Sequence, residues 1–153
     1  MTKLMVYNHK KTVKISKSPK ETFEIAKKLT TQIQAPCLIG LTGELGAGKT
    51  VFAKGVAASL GVQEEVTSPT FLGISEYFSG KYPFIHMDFF KKVVEEEKVN
   101  FYLKNGSVVL IEWFENFNCL FARNLDLDIR IYIQYLKDKS GNILENEREI
   151  IVE

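Results

Sequence analysis

The eight residues Gly43-Glu44-Leu45-Gly46-Ala47-Gly48-Lys49-Thr50 fit the pattern G-x-x-x-x-G-K-[ST], which restricts the fold more tightly than any other stretch of this chain. Its glycines allow a tight wrap whose backbone N–H groups point inward at anionic oxygens, a concavity that side chains would obstruct. Lys49 adds a compact positive charge for the β- and γ-phosphates of a nucleotide, and Thr50 a hydroxyl suited to magnesium. A helix starting here directs the positive end of its dipole at the same phosphates. Such a loop needs a buried strand before it and a helix after it. Residues 37–42 (CLIGLT) are a short apolar run of strand type. Phe52, Val56 and Leu60 then recur at i, i+4 and i+8 with alanines between them, and Gly61 ends the pattern.

The rest of the chain supplies the other elements of an α/β sheet. Residues 11–15 alternate and read as a first strand. Ser18-Pro19-Lys20-Glu21 is a capping box with proline at the first helical position, and its helix is expected to run to about residue 34, ahead of Ala35-Pro36. Residues 72–78 and 82–88 are expected to pair as a hairpin around Ser79-Gly80-Lys81. Residues 93–103 read as a helix closed by Asn105-Gly106, and 108–111 (VVLI) as a central strand. Residues 129–135 and 149–152 suggest a terminal hairpin at the sheet edge. The expected architecture is α/β and similar to phosphate-loop NTPases: a mixed, mostly parallel central sheet flanked by helices, with an antiparallel edge hairpin, in a single domain over residues 1–153.

Charge narrows the partners. A formal net charge of +1 provides no bulk attraction to nucleic acid or membrane, although lysines between residues 10 and 20 form a local cluster. No run is apolar enough for a signal peptide or a membrane span, so a cytoplasmic location is expected. Cys37 and Cys119 lie far apart in apolar surroundings and read as buried thiols rather than a disulfide or a metal site.

In an open α/β sheet, ligands bind beyond the carboxyl ends of the strands, so an acid closing an apolar strand is a candidate partner for magnesium. Asp88 closes residues 84–87 and Glu112 closes 108–111. Either acid could hold the metal while the other orients the attacking water. Glu44, inside an anion-binding loop, is expected to face outward or to partner a cation. Residues 67–70 (TSPT) lie where many nucleotide hydrolases place a loop that senses the γ-phosphate, the alternative being an ordinary turn. His86 and Trp113 read first as structural residues. The pairs Phe89-Phe90 and Phe114/Phe117 are either docking aromatics or core.

Four segments in order, GELGAGKT at 43–50, VTSPTF at 66–71, HMDFF at 86–90 and IEWFE at 111–115, resemble the TsaE (YjeE) family, small bacterial ATPases needed to make threonylcarbamoyladenosine on transfer RNA. The resemblance is dense over residues 37–115 and looser at both ends. It implies ATP and magnesium as ligands and action with the TsaD and TsaB proteins, transfer RNA being involved indirectly. By resemblance, Lys49 and Thr50 match the phosphate and magnesium groups, Glu112 a second magnesium contact, Asp88 a Walker B-like acid, residues 67–70 a switch loop, and Trp113 a tryptophan beside the site. The candidate nucleotide-binding set is Glu44, Leu45, Gly46, Ala47, Gly48, Lys49, Thr50 and Trp113. The metal set is Thr50 and Glu112, and the catalytic set is Asp88, Lys49 and Thr70. Two positions depart from the family. Phe114 replaces a proline, which should loosen the turn after Glu112, and Phe90-Lys91 replaces tyrosine-arginine.

Two other classes share this loop. A small-molecule kinase would clamp phosphates with several arginines, yet none precedes Arg123, and a GTPase would carry a guanine-reading N-K-x-D run, which is absent. An ATP-dependent assembly scaffold without turnover needs the same loop and stays open beside the ATPase.

Overall fold

Alternating side chains of the central strands enter two separate apolar layers, and this places the helices. A computed structural model describes residues 11–69, 73–121 and 127–153, the side chains of 118–121 excepted. The strands are β1 (Thr12–Ser16), β2 (Cys37–Gly43), β3 (Ile74–Tyr77), β4 (Phe84–Asp88), β5 (Val108–Glu112), β6 (Ile129–Lys137) and β7 (Ile143–Val152). The helices are α1 (Pro19–Leu29), α2 (Lys49–Ser59), α3 (Glu96–Lys104) and α4 (Phe114–Phe121). Ile39, Leu41, Phe84 and Leu110 pack with Ala26 of α1 and with Phe52, Ala53 and Val56 of α2. Their neighbours Leu38, Ile85, Met87, Val109 and Ile111 face the other way, onto Val99 and Tyr102 of α3 and Phe114 and Phe117 of α4. A strand's period of two makes both faces apolar here because helices cover both.

The sheet order is β1-β7-β6-β2-β5-β4-β3. Strands β6, β2, β5 and β4 are parallel neighbours, while β1/β7, β6/β7 and β3/β4 pair antiparallel. The expected α/β sheet is therefore present, with the β3/β4 hairpin at one edge. The terminal hairpin does not form the other edge. Strand β1 lies outside β7, so the last two strands sit inside the sheet.

Several boundaries shift for local reasons. Helix α1 starts as the capping box indicates, with Ser18 Oγ accepting from the Glu21 N–H at 3.1 Å, while the Glu21 carboxylate accepts from the Lys17 N–H at 2.7 Å. It ends at Leu29 rather than near 34: Thr30 is the C-cap, with φ of −110° and ψ of 8°, and its hydroxyl competes for the Ala26 carbonyl at 2.8 Å. Helix α3 starts at Glu96, not 93: Glu95 is extended at its N-cap and Val94 is buried in the core. Strand β4 begins after Pro83, which has no N–H for the ladder. Strand β7 reaches back to Ile143, which pairs with Lys137 of β6, and its mostly polar, exposed first half hides the alternation. Helix α4 was not foreseen. Phe114 and Phe117 face the core, at 2% and 0% exposure, and do not form a docking patch.

Candidate nucleotide-binding site

Residues 43–48 leave β2 at its carboxyl end and turn into the first residues of α2. Gly46 and Gly48 take φ of 77° and 106°, left-handed conformations that other residues enter at a cost of about 1–2 kcal/mol. Gly43 is needed for a different reason. A Cβ there would lie 2.4 Å from the Ile133 carbonyl oxygen on β6. Glu44 and Leu45 stand exposed at the loop's tip, which meets the outward-facing expectation for Glu44, and Ala47 is buried with its N–H turned onto the Glu44 carbonyl at 3.0 Å.

Lys49 is 5% exposed. Its Nζ donates to the carbonyls of Gly43 at 2.5 Å and Glu44 at 2.9 Å and lies 4.0 Å from the centroid of the Trp113 ring. Burial pulls its pKa below the ordinary lysine value, and the carboxylates of Glu112, Glu115, Asp88 and Glu44 oppose that pull. The two carbonyl contacts are the ones that a phosphate oxygen could replace.

The alternation that builds the core also aims the acids. On β4 the face shared by Phe84 continues through His86 to Asp88. On β5 the face of Val108 and Leu110 continues to Glu112. Both acids thus point toward the α2 layer, and parallel register sets Asp88 opposite Glu112 at the carboxyl ends. The Thr50 hydroxyl donates to Glu112 Oε1 at 2.9 Å, and His86 Nε2 lies 2.8 Å from the same oxygen. Glu112 Oε1 thus has two side-chain partners, one from the phosphate loop and one from β4. Glu112 is 3% exposed and His86 0%. A carboxylate so buried is stable only with such partners.

Asp88 has different neighbours. Its Oδ1 accepts from the Phe90 N–H at 2.9 Å and its Oδ2 from the Ser68 hydroxyl at 3.4 Å. The two acids, indistinguishable by position in the sequence, are separated by tertiary contact: Glu112 joins the loop's threonine, and Asp88 joins the 67–70 segment. Ser68 and Thr67 are exposed, and the Thr67 N–H donates to the Tyr77 hydroxyl at 3.3 Å. Thr70 lies outside the described residues.

Trp113 follows Glu112 with φ of 57°. This turn places its ring between Lys49 Nζ and Phe90, whose ring centroid is 4.8 Å away. The next residue is anchored by burial. Phe114 packs against Phe117 and over Gly40, where a Cβ would come within 2.8 Å of its ring. Full burial of a phenylalanine contributes about 2–3 kcal/mol, an anchor for the residue that follows the turn. Lys91 is exposed.

Beside the loop, a cleft of about 310 Å³ is lined by Thr42, Gly43, Glu44, Trp113, Glu115, Tyr132, Ile133 and Gln134. Among the described residues no three His, Cys, Asp or Glu side chains gather as a metal cage. The hard oxygen donors at the loop include the Thr50 hydroxyl and the Glu112 carboxylate, with Asp88 opposite Glu112 in the strand register. Magnesium fits that set, since it is ordinarily held by one or two protein oxygens together with phosphates and waters.

Sequence reasoning underrated His86, a residue whose one signal was its place two before Asp88 on the same strand face. It missed Arg148. The Arg148 Nε donates to the Ala47 carbonyl at 3.1 Å and Nη2 to that of Gly46 at 3.4 Å. The chain does carry an arginine on its phosphate loop, bound to the loop's carbonyls.

The family model described as "Threonylcarbamoyl adenosine biosynthesis protein TsaE" matches residues 16–143. The chain belongs to the TsaE family. The "tRNA threonylcarbamoyladenosine biosynthesis protein TsaE" of Bacillus subtilis is 41% identical over 98 residues, covering 63% of this chain and 62% of that protein. Its counterpart of the same name in Aquifex aeolicus is 30% identical over 131 residues, covering 84% and 91%. The chain thus spans about three-fifths of the Bacillus relative and nearly all of the Aquifex one. The crystal structure of Bacillus YdiB superposes with a TM-score of 0.74 at 30% identity, covering 94% of this chain and 84% of that one. The loop, both acids and Trp113 all fall inside the segment matched by the TsaE family model. Among the described residues, no helix is long and apolar enough to cross a membrane.

Proposed function

We propose that this TsaE-family chain binds and hydrolyses ATP with magnesium in support of threonylcarbamoyladenosine formation on transfer RNA, working in the cytoplasm with the TsaD and TsaB proteins. The observation that carries the nucleotide reading is the contact between Thr50, the last residue of the phosphate loop, and the buried Glu112 at the neighbouring strand's end. A purely structural loop has no need to hold a carboxylate there. The 30–41% identity to proteins named for this modification supports the pathway.

In this reading the Gly46 and Gly48 turns leave the loop's inner side open to the β- and γ-phosphates. Lys49 exchanges its two carbonyl contacts for phosphate oxygens and stays charged beside them. Thr50 and Glu112 are the groups that would hold magnesium, whose chemistry is to neutralise charge on the phosphate oxygens. His86 keeps the Glu112 carboxyl oriented. Asp88, next to Ser68, is placed to accept a proton from or orient a water. Glu44, Leu45 and Ala47 contribute backbone rather than side chain, and Trp113 covers the Lys49 ammonium.

Turnover by the lone chain is slow in this reading. Of the described arginines, Arg148 binds the loop's carbonyls and Arg130 the Tyr132 hydroxyl, so charge building on the γ-phosphate has Lys49 as its principal cationic side chain. Calorimetry with ATP and magnesium tests the binding. Heat of association is expected from the wild type and none from Lys49→Ala, and a variant that bound as well as the wild type would sink the reading. Phosphate release is expected to rise when TsaD and TsaB are added. Binding with no release, alone or with partners, would replace the ATPase by an assembly scaffold.

A further inference from the structure

Arg148 and Tyr135 face each other across β6 and β7. The guanidinium carbon lies 3.9 Å from the centroid of the Tyr135 ring. Its Nη1 donates to the carbonyls of Glu145 at 2.7 Å and Glu147 at 3.0 Å, so the flat group is fixed on its own strand. The remaining edge reaches a segment about a hundred residues away, the Ala47 and Gly46 carbonyls. The Tyr135 hydroxyl abuts the same place, 2.9 Å from where a Cβ on Gly46 would stand.

A trans peptide points its carbonyl and the following N–H in opposite directions within one plane. Holding the Ala47 carbonyl against Arg148 therefore fixes the Gly48 N–H on the side of that peptide opposite Arg148. Holding the Gly46 carbonyl fixes the Ala47 N–H, which closes the loop onto Glu44. Two glycines with positive φ flank this stretch, and glycine is the residue that loses its shape most readily without an external brace.

We propose that Arg148, held flat on Tyr135, is a positioning residue that sets the phosphate loop in its anion-receiving shape before nucleotide arrives. It acts through the loop's carbonyls and touches no phosphate. The inference rests on the nucleotide reading above and adds to it the residue that preorganises the cradle. Lysine cannot substitute, because a point ammonium does not span two carbonyls while lying on a ring.

The test uses the full chain as wild type, Arg148→Ala, Arg148→Lys and Tyr135→Leu. Dissociation constants for ATP and for ADP with magnesium are measured by calorimetry, along with melting temperature and amide hydrogen exchange over residues 43–50. Arg148→Ala is expected to weaken both nucleotides about tenfold or more, the equivalent of one charge-assisted hydrogen bond, and to speed exchange in the loop. Ethylguanidinium, which can reoccupy the vacated space, is expected to recover binding by Arg148→Ala, and ethylammonium is not. Arg148→Lys should resemble the alanine variant, and Tyr135→Leu should fall between it and the wild type. A merely structural arginine would lower the melting temperature without rescue by the guanidinium, and that result overturns the proposal. So does an Arg148→Ala or Arg148→Lys chain that binds as the wild type does. A wild type that binds neither nucleotide overturns the underlying reading first, and this inference with it.

Discussion

Replacing Trp113 by glycine and by alanine separates backbone strain from side-chain contact at the turn that closes the site. Trp113 sits at φ of 57°, a region that costs an L-residue about 1–2 kcal/mol and glycine almost nothing. In an ordinary position glycine is the worse choice by about 0.5–1 kcal/mol, because it loses more freedom on folding. Both variants forfeit the same ring contacts, with Lys49 Nζ at 4.0 Å and Phe90 at 4.8 Å. Those losses, about 0.5–2 and 0.5–1.5 kcal/mol, cancel when the two variants are compared. Taking the middle of each range, the left-handed term outweighs the entropic one and leaves Trp113→Gly more stable than Trp113→Ala by about 0.8 kcal/mol, or about 2–3 °C in a domain this size. Urea unfolding followed by far-ultraviolet circular dichroism is the suitable assay, since Trp113 is the one tryptophan and fluorescence disappears with it. Equal stability, or a more stable alanine variant, would refute the claim that the turn is strained. The strain has an evident use: it puts the indole over the lysine ammonium one residue after the carboxylate that meets Thr50.

Two further outcomes follow from the packing. Gly55→Ala should lower the melting temperature, although alanine is favoured in a helix by about 1 kcal/mol, because the new Cβ would lie 2.5 Å from the Phe23 carbonyl and 2.6 Å from Ala26 Cβ. A rise on thermal denaturation would show that α1 and α2 can part at little cost. The Tyr102 hydroxyl has its pKa pushed up to about 12 by burial, with Glu76 adding a hydrogen bond and its charge. A raised folded-state value means that the stability it carries is complete below the ordinary tyrosine value of 10.0 and is lost as pH climbs through about 12. Wild type should therefore lose urea resistance more steeply between pH 10 and 12 than Tyr102→Phe. Parallel pH profiles would remove Tyr102 from the explanation.

Much of the architecture was legible because its causes are local. The capping box of α1, the apolar runs of β2 and β5 and the glycine turns of the phosphate loop act over a few adjacent residues. Boundaries slipped where a side chain competed with the backbone, as at Thr30, or where an exposed strand lacked an apolar face, as in the first half of β7. Helix α4 escaped because Phe114 and Phe117 are too few to show a period, and burial against Gly40 and Phe89 is what fixes them. The missing proline after Glu112 was visible in the sequence, whereas the burial of Phe114 in its place was not.

The order of residues 37–60 was enough by itself to specify a strand, an anion-shaped turn and a helix, since backbone freedom and periodicity are properties of neighbours in the chain. It also marked Asp88 and Glu112 as acids at strand ends. Which acid meets Thr50, that His86 stands behind Glu112, and that Arg148 grips the loop from a strand about a hundred residues onward were decided by strand order and register. Those depend on how whole faces pack together, and residues distant along the chain become neighbours only when the sheet has formed.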